Sequence, residues 1–175
     1  MDVELVKEES RRLPTDGASA RAGVAFIRIL FGLLWLTQAS WKTPPDFGAL
    51  KYFTSFAYRK PVFAPYGFVV EKVVIPNISI FGYLVIVMEA SLGAFLILGL
   101  ATRFWAVVGM AQTLAIALSV LNAPHEWSWA YYMMFAGHVA ILATAAGRSF
   151  GLDGLLRAGW LHTDHAVTRL LARAS

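Results

Sequence analysis

The chain has 175 residues, of which 58% are apolar and 15% are charged, and its mean hydropathy is +0.59. About a quarter of the residues of a soluble domain are charged, so this composition indicates a membrane protein. Cysteine is absent, which excludes disulfides, thiolate metal sites and iron–sulfur clusters held by this chain.

The chain begins with a polar segment, residues 1–21, which mixes acidic and basic side chains and is too long and too acidic for a signal peptide. We interpret it as a cytoplasmic tail. Residues 22–41 form the first predicted membrane span, with Arg28 inside it and with Trp41 and Lys42 at its exit. Mostly small residues lie at helical spacing from Arg28, which favours close helix packing: Ala25, Gly32, Trp35 and Ala39.

The only long connection, residues 43–77, is rich in aromatic side chains interspersed with charged ones. This composition is typical of short helices that lie in the membrane interface. Proline signals at Pro44-Pro45 and at Pro61 predict a helix that begins near Asp46 and a break before Val62.

Three further spans are predicted, at about 78–101, 104–121 and 130–147. The second span carries Glu89 near its midpoint, on the same face as Gly82 and Gly93. A charge at this depth costs a few kcal/mol, so we expect Glu89 to have a partner or a function.

The last two spans also carry polar side chains, Gln112 in the third and His138 in the fourth. Both have stripes of small residues suited to helix packing: Ala111, Ala115 and Ser119 in the third, and Ala136, Ala140 and Thr144 in the fourth. Residues 148–175 complete the chain as a basic amphipathic tail, expected to be cytoplasmic.

The predicted fold is therefore an all-α membrane protein, with a four-transmembrane-helix bundle over residues 22–147 and interfacial helices in its first extracytoplasmic loop. Lys and Arg are concentrated in the tails and at Arg103, whereas the turn at 122–129 has neither, so both termini are predicted to be cytoplasmic. The basic residues flank apolar segments and form no single patch, so nucleic acid is not an expected partner.

Arg28 and Glu89 are predicted to lie within reach of each other and to form a pair inside the membrane. One interpretation is a structural ion pair that fixes helix register; the other is a carboxylate that exchanges a proton when a ligand binds. His138 likewise has two interpretations, a hydrogen-bonded packing residue or a partner for a quinone carbonyl or a proton. No metal site is expected.

Three stretches resemble the DoxX/DoxD family of small four-helix membrane proteins: RILFGLLWLTQASWKTPPDFGAL, MEASLGAFLILGLATRFWAVVG and AGRSFGLDGLL. The resemblance covers roughly 28–156, and the stretches after the first span and before the fourth are closer to the DoxD branch. That branch includes the membrane subunit of thiosulfate:quinone oxidoreductase, so the resemblance implies a prokaryotic cytoplasmic membrane and a link to quinone and sulfur chemistry. The residues that carry over are Arg28, Lys42, Glu89, Arg103, Arg148 and Asp153.

Two functional hypotheses follow. In the first, the chain is the quinone-interacting subunit of a membrane oxidoreductase, and Lys42, Lys51, Arg59 and Lys60 attract an oxyanion such as thiosulfate. Its catalytic candidates are Glu89, Arg28 and His138, its quinone or substrate ligands are Lys42, Trp41, Gln112 and Arg103, and its structural motif is Arg148 with Asp153. In the second, the chain is a non-catalytic anchor of a larger complex. The expected partners are the lipid bilayer, a second subunit or another copy, a quinone and a small oxyanion, with no cofactor bound covalently.

Overall fold

The structure, a computed structural model, describes residues 17–162 and 165–175, which are helical and contain no strand. Residues 1–16 of the predicted polar tail lie outside the described residues. The α-helices are α1 (Ala18–Ser40), α2 (Gly48–Thr54), α3 (Phe56–Arg59), α4 (Ala64–Val69), α5 (Ile78–Leu98), α6 (Thr102–Val120), α7 (Trp129–Ala143), α8 (Leu152–His162) and α9 (Ala166–Ala174). A π-helix at Val70–Val74 follows α4, and a 3-10 helix at Ala146–Arg148 follows α7.

Three helices of the described chain, α1, α5 and α6, are long and apolar enough to cross a membrane, with 23, 21 and 19 residues. Much of their surface is exposed and apolar, as a lipid-facing surface requires: Phe26 is 65% exposed and Val87 63%. Helix α7 is apolar but has only 15 residues, or about 22 Å, against a hydrocarbon core of about 30 Å. The span predicted at 130–147 is not one continuous helix: α7 ends at Ala143, and the backbone at Ala145 adopts a left-handed conformation.

The closest helix packing joins α1 to α5 and depends on two glycines. A Cβ atom placed on Gly32 would lie 2.8 Å from the carbonyl oxygen of Gly93, and one on Gly93 would lie 2.8 Å from that of Gly32. Only glycine permits so close an approach of two backbones. The predicted small-residue face of α1 is confirmed, since Ala25, Arg28 and Trp35 are buried along with Gly32.

The core of the bundle lies on the side of the chain termini, where six side chains form one cluster: Trp35, Leu92, Leu96, Ala106, Ile141 and Ala146. Helix α7 meets α6 through the face that carries His138, which packs over Gly109. The small residues Ala136 and Ala140 of α7 consequently face outward and are exposed.

The connection from α1 to α5 folds into short helices, as predicted, with α2 beginning at Gly48 and α3 ending at Arg59. It is fastened to the bundle by Phe47, whose buried ring occupies the space that a side chain on Gly82 would fill. These helices and the residues that join them present exposed aromatic rings, such as Phe63 and Phe68, and they cover one end of the bundle. A cavity lies beneath them.

Candidate functional site

The cavity has a volume of about 560 Å³, within the usual range for sites that bind small organic molecules. It lies between the ends of α1, α5, α6 and α7 that are remote from the chain termini, under α2, α4 and the π-helix. Its walls are mainly apolar, and its larger apolar residues include Leu50, Phe53, Val69, Val74, Phe81, Val85 and Ile116. Such walls suit a ring or an acyl chain.

The deepest part of the cavity is polar and consists of Lys42, Glu89 and Gln112, which we call the polar cluster. The ammonium of Lys42 lies 2.6 Å from Oε2 of Glu89, and Nε2 of Gln112 donates to Oε1 of Glu89 at 3.1 Å. Glu89 is fully buried. Because one of its oxygens contacts Lys42 and the other contacts Gln112, the carboxylate links the end of α1 to the middle of α6. Two donors on one carboxylate explain how a charge can be kept at this depth.

Lys42 lies just beyond α1, and its side chain turns back along the helix toward Gln38 and Glu89. Its Nζ also donates to the carbonyl oxygen of Gln38 and lies 4.3 Å from the centre of the Trp41 ring. An ammonium group has three donors and two meet oxygen acceptors here, so one remains for a ligand oxygen.

Two further polar pairs line the cavity nearer its outer end. The hydroxyl of Tyr66 donates to the carbonyl oxygen of Ala115 at 3.0 Å and lies 3.1 Å from the hydroxyl of Ser119. The hydroxyl of Tyr131 donates to Glu126 at 2.5 Å. Sequence reasoning missed these residues as site residues, because Tyr66 is one of many loop aromatics and Glu126 lies in a turn. The only available signal was that Ser119 follows Gln112 by two helical turns.

The predicted pair of Arg28 and Glu89 is not formed. Arg28 donates instead to the carbonyl oxygens of Leu96, Ile97 and Phe150, at 2.8, 3.0 and 3.2 Å. The last carbonyls of a helix have no partner within it, and those at the end of α5 capture the guanidinium. Lys42 reaches Glu89 from the loop end of α1 and takes the place assigned to Arg28.

His138 lies outside the lining of the cavity. Its Nε2 accepts a hydrogen bond from Nε1 of Trp35 at 2.9 Å, and its Nδ1 lies 2.7 Å from the carbonyl oxygen of Met134. The carbonyl can only accept and the indole can only donate, so the ring is neutral with its proton on Nδ1. Both nitrogens are thus occupied within the core.

The remaining predicted residues lie at the end of the bundle that carries the termini. Arg103 is exposed in the first turn of α6 and is not part of the cavity lining. Asp153 is buried and accepts from the backbone N–H groups of Ala101 at 2.7 Å and Thr102 at 2.9 Å, so it caps α6 from α8. Arg148 donates to the carbonyl oxygen of Ser175 at 3.0 Å. Of the predicted ligands and catalytic candidates, the cavity thus brings together Lys42, Trp41, Gln112 and Glu89, but neither Arg28, His138 nor Arg103.

Comparison with known proteins gives one result. Residues 59–173 match the sequence model of a family described as "TQO small subunit DoxD". The match includes Glu89, Gln112, Tyr66, Glu126 and Tyr131, and it begins after Lys42. No curated protein and no solved structure was found that matches the chain.

Proposed function

This chain belongs to the DoxD family, and we propose on that premise that it is the quinone-interacting membrane subunit of a complex of the thiosulfate:quinone oxidoreductase type. In this proposal α7, extended by the 3-10 helix, is the fourth span of a prokaryotic cytoplasmic-membrane protein. The helices from α2 to the π-helix then lie in the extracytoplasmic interface, and both termini are cytoplasmic, as the distribution of Lys and Arg favours.

The observation that supports a quinone site best is a cavity with apolar walls and a polar inner end. A quinone ring is flat, uncharged and apolar on both faces, and its carbonyl oxygens accept hydrogen bonds. The unused N–H of Lys42 is available to one such oxygen, and apolar side chains such as Val85 and Ile116 would contact the ring. A bound quinone would supply the electron-accepting carbonyls, and its reduction consumes two electrons and two protons.

The chain's own residues would position the quinone and move protons to it. Lys42 would hold the carbonyl oxygen and orient the ring, while Glu89 would keep the ammonium charged and in place. A carboxylate in hydrogen-bond contact with a lysine can accept and return a proton. Gln112 fixes the orientation of that carboxylate through its remaining oxygen.

The charges of the cavity favour a neutral ligand over an oxyanion. Lys42 is compensated by Glu89, and Glu126 adds a second carboxylate at the outer end. Of the four basic residues expected to attract thiosulfate, Lys42 is buried and does not face the surface. The other three, Lys51, Arg59 and Lys60, are exposed. We propose that the oxyanion binds outside the cavity, near these three residues or on a partner subunit.

Quinone binding to the purified protein tests the proposal. Trp41 lines the cavity, so a short-chain benzoquinone should quench its fluorescence in a saturable way, and Trp41→Phe should remove that part of the signal. Gln112→Leu should weaken binding about fivefold, because Glu89 would lose the hydrogen bond that orients it, at a cost of about 1 kcal/mol. Arg103→Gln is the matched control and should bind like the unmodified protein. Absence of saturable quenching, or equal affinities for Gln112→Leu and the control, would refute the quinone site.

An anchor without its own chemistry is the second candidate, and the outward face of α7 favours it. Ala136 and Ala140 are exposed there, and small residues allow another membrane helix to approach closely. Ala140→Leu should then release a co-purifying membrane subunit without weakening quinone binding. If Glu89→Gln leaves the activity of the assembled complex unchanged, the anchor replaces the quinone site as the proposed function.

A further inference from the structure

We infer that the cavity exchanges water and protons only with the side of the membrane opposite the chain termini. If the proposed function is correct, quinone reduction takes its protons from that side alone; this second statement rests on the proposed function. Three features of the structure point to this: the position of the lining residues, a series of polar groups leading outward, and a tightly packed layer toward the termini.

The lining residues all come from one half of the spanning helices. From α5 they run from Ile78 to Glu89, and from α6 they run from Gln112 to Val120. Glu89 is therefore the deepest member on its helix, eleven residues and about 16 Å from the start of α5. The terminus-side halves of α5 and α6 contribute nothing to the lining.

Polar groups continue from the polar cluster toward the loop side. Ser119 lies seven residues beyond Gln112 on α6, about 10 Å farther out, and it contacts the Tyr66 hydroxyl. Glu126, bonded to Tyr131, follows in the turn between α6 and α7. These hydroxyl and carboxyl oxygens line the cavity and can still accept hydrogen bonds from water, and water held in this way can pass protons. We assign this role to Tyr66, Ser119, Glu126 and Tyr131.

On the terminus side the polar cluster meets a dry layer. Leu92 and Leu96, one and two turns below Glu89, are fully buried, and Trp35 and Ile141 complete the packing at 0% and 1% exposure. The hydrogen-bonded pair of Trp35 and His138 lies within this layer, and beyond it Arg28 contacts the carbonyl oxygen of Leu96. Glu89 and Leu96 are about 10 Å apart along α5.

His138 does not bridge this layer. Its two ring nitrogens are engaged by Trp35 and by the carbonyl of Met134, so neither is free to receive a proton from the cavity. A relay through His138 would require breaking a buried hydrogen bond and leaving the Trp35 N–H unpaired.

The consequence concerns energy conversion. Joining two thiosulfate ions through a new S–S bond releases two electrons and no protons, and a quinone takes up two electrons and two protons to become a quinol. If the donor is oxidised on the loop side and the protons also come from the loop side, no net charge crosses the membrane. The subunit would feed the quinone pool without itself building a membrane potential.

Thiol labelling tests the inference, because the chain contains no cysteine and single cysteines can be introduced without competition. The cavity reporters are Ala115→Cys and, should that variant not fold, Val120→Cys, both at lining positions. Ala106→Cys reports the dry layer, Lys51→Cys reports the loop side, and Arg103→Cys reports the terminus side. A charged, membrane-impermeant thiosulfonate is added to one side or the other of oriented vesicles.

We expect the cavity reporter to be labelled only when Lys51→Cys is labelled, and Ala106→Cys to be labelled from neither side. Labelling of the cavity reporter from the side that labels Arg103→Cys would overturn the inference, and so would its failure to react from the loop side. The labelling needs no turnover, so it separates the two proposals. A protein that labels as expected but binds no quinone loses only the proposed function, and one that binds quinone but labels from the terminus side loses only the inference.

Discussion

Lys42 and Glu89 form an ion pair 2.6 Å long between the loop end of one spanning helix and the middle of another. The carboxylate lies halfway along α5, and the ammonium descends from the loop end of α1. The pair is buried, with side-chain exposures of 3% for Lys42 and 0% for Glu89. The pair closes the inner end of the cavity, so a change that breaks the pair should also change ligand binding in the cavity.

Removing one partner of this pair should destabilise the protein more than removing both charges. Lys42→Met leaves a buried carboxylate with one donor and should cost about 3–5 kcal/mol of unfolding free energy, whereas Lys42→Met with Glu89→Gln should recover much of that loss. Thermal unfolding in detergent measures the difference. Lys51→Met, at an exposed lysine, is the control and should leave Tm unchanged. If Lys42→Met alone melts like the control, the pair contributes no stability.

His138→Ala should lower stability while leaving quinone affinity intact. The change leaves the Trp35 N–H unpaired and opens a void under Gly109, at a cost of about 2–4 kcal/mol. Tm and the quinone titration are measured on the same preparation. His162→Ala, at an exposed histidine, should change neither quantity. A variant with normal Tm and lost quinone binding would instead establish His138 as a ligand residue.

Gly32→Ala and Gly23→Ala should have opposite outcomes although they lie on the same helix. A Cβ atom on Gly32 would lie 2.7 Å from Cγ1 of Ile97 and 2.8 Å from the backbone oxygen of Gly93, whereas one on Gly23 meets nothing within 4 Å. We expect Gly32→Ala to cost about 1–3 kcal/mol through overpacking. Gly23→Ala should be neutral or slightly stabilising, because alanine favours helix. Equal Tm values for the two variants would show that α1 and α5 are not in such close contact.

Asp153→Ala should loosen the terminus-side end of the bundle. Two N–H groups at the start of α6, of which that of Thr102 is buried, would lose their acceptor, at a cost of about 1–2 kcal/mol. Hydrogen exchange at Ala101 and Thr102 should rise together with a lower Tm. Asp46→Ala, at an exposed aspartate, is the matched control, and equal exchange in both variants would contradict a capping role.

Local patterns in the sequence predicted the helices, because a helix forms from residues that are close together in the sequence. The buried face of α1, the burial of Glu89 and the short helices after Pro44-Pro45 all follow from helical spacing, cost of charge and backbone restriction. The same local evidence identified the family, since its most specific stretch surrounds Glu89 and lies within the matched segment.

The partner of Glu89 could not be predicted in this way. Arg28 was an acceptable partner by its depth along the helix axis. Depth alone does not show which carbonyl oxygens or charged groups compete for the guanidinium. The last carbonyl oxygens of α5 accept hydrogen bonds from Arg28, and the side chain of Lys42 reaches Glu89 from beyond the end of α1.

By itself, then, the sequence determined a multi-pass helical membrane protein of the DoxD family with a carboxylate that needed a partner. Tertiary structure decided which cation serves as that partner, that His138 is committed to the core, and that Tyr66, Ser119, Glu126 and Tyr131 line the same cavity. The physical reason is that helix formation and membrane insertion depend on residues close in sequence. Ion pairs and cavities depend on side chains that meet only after separate helices have packed.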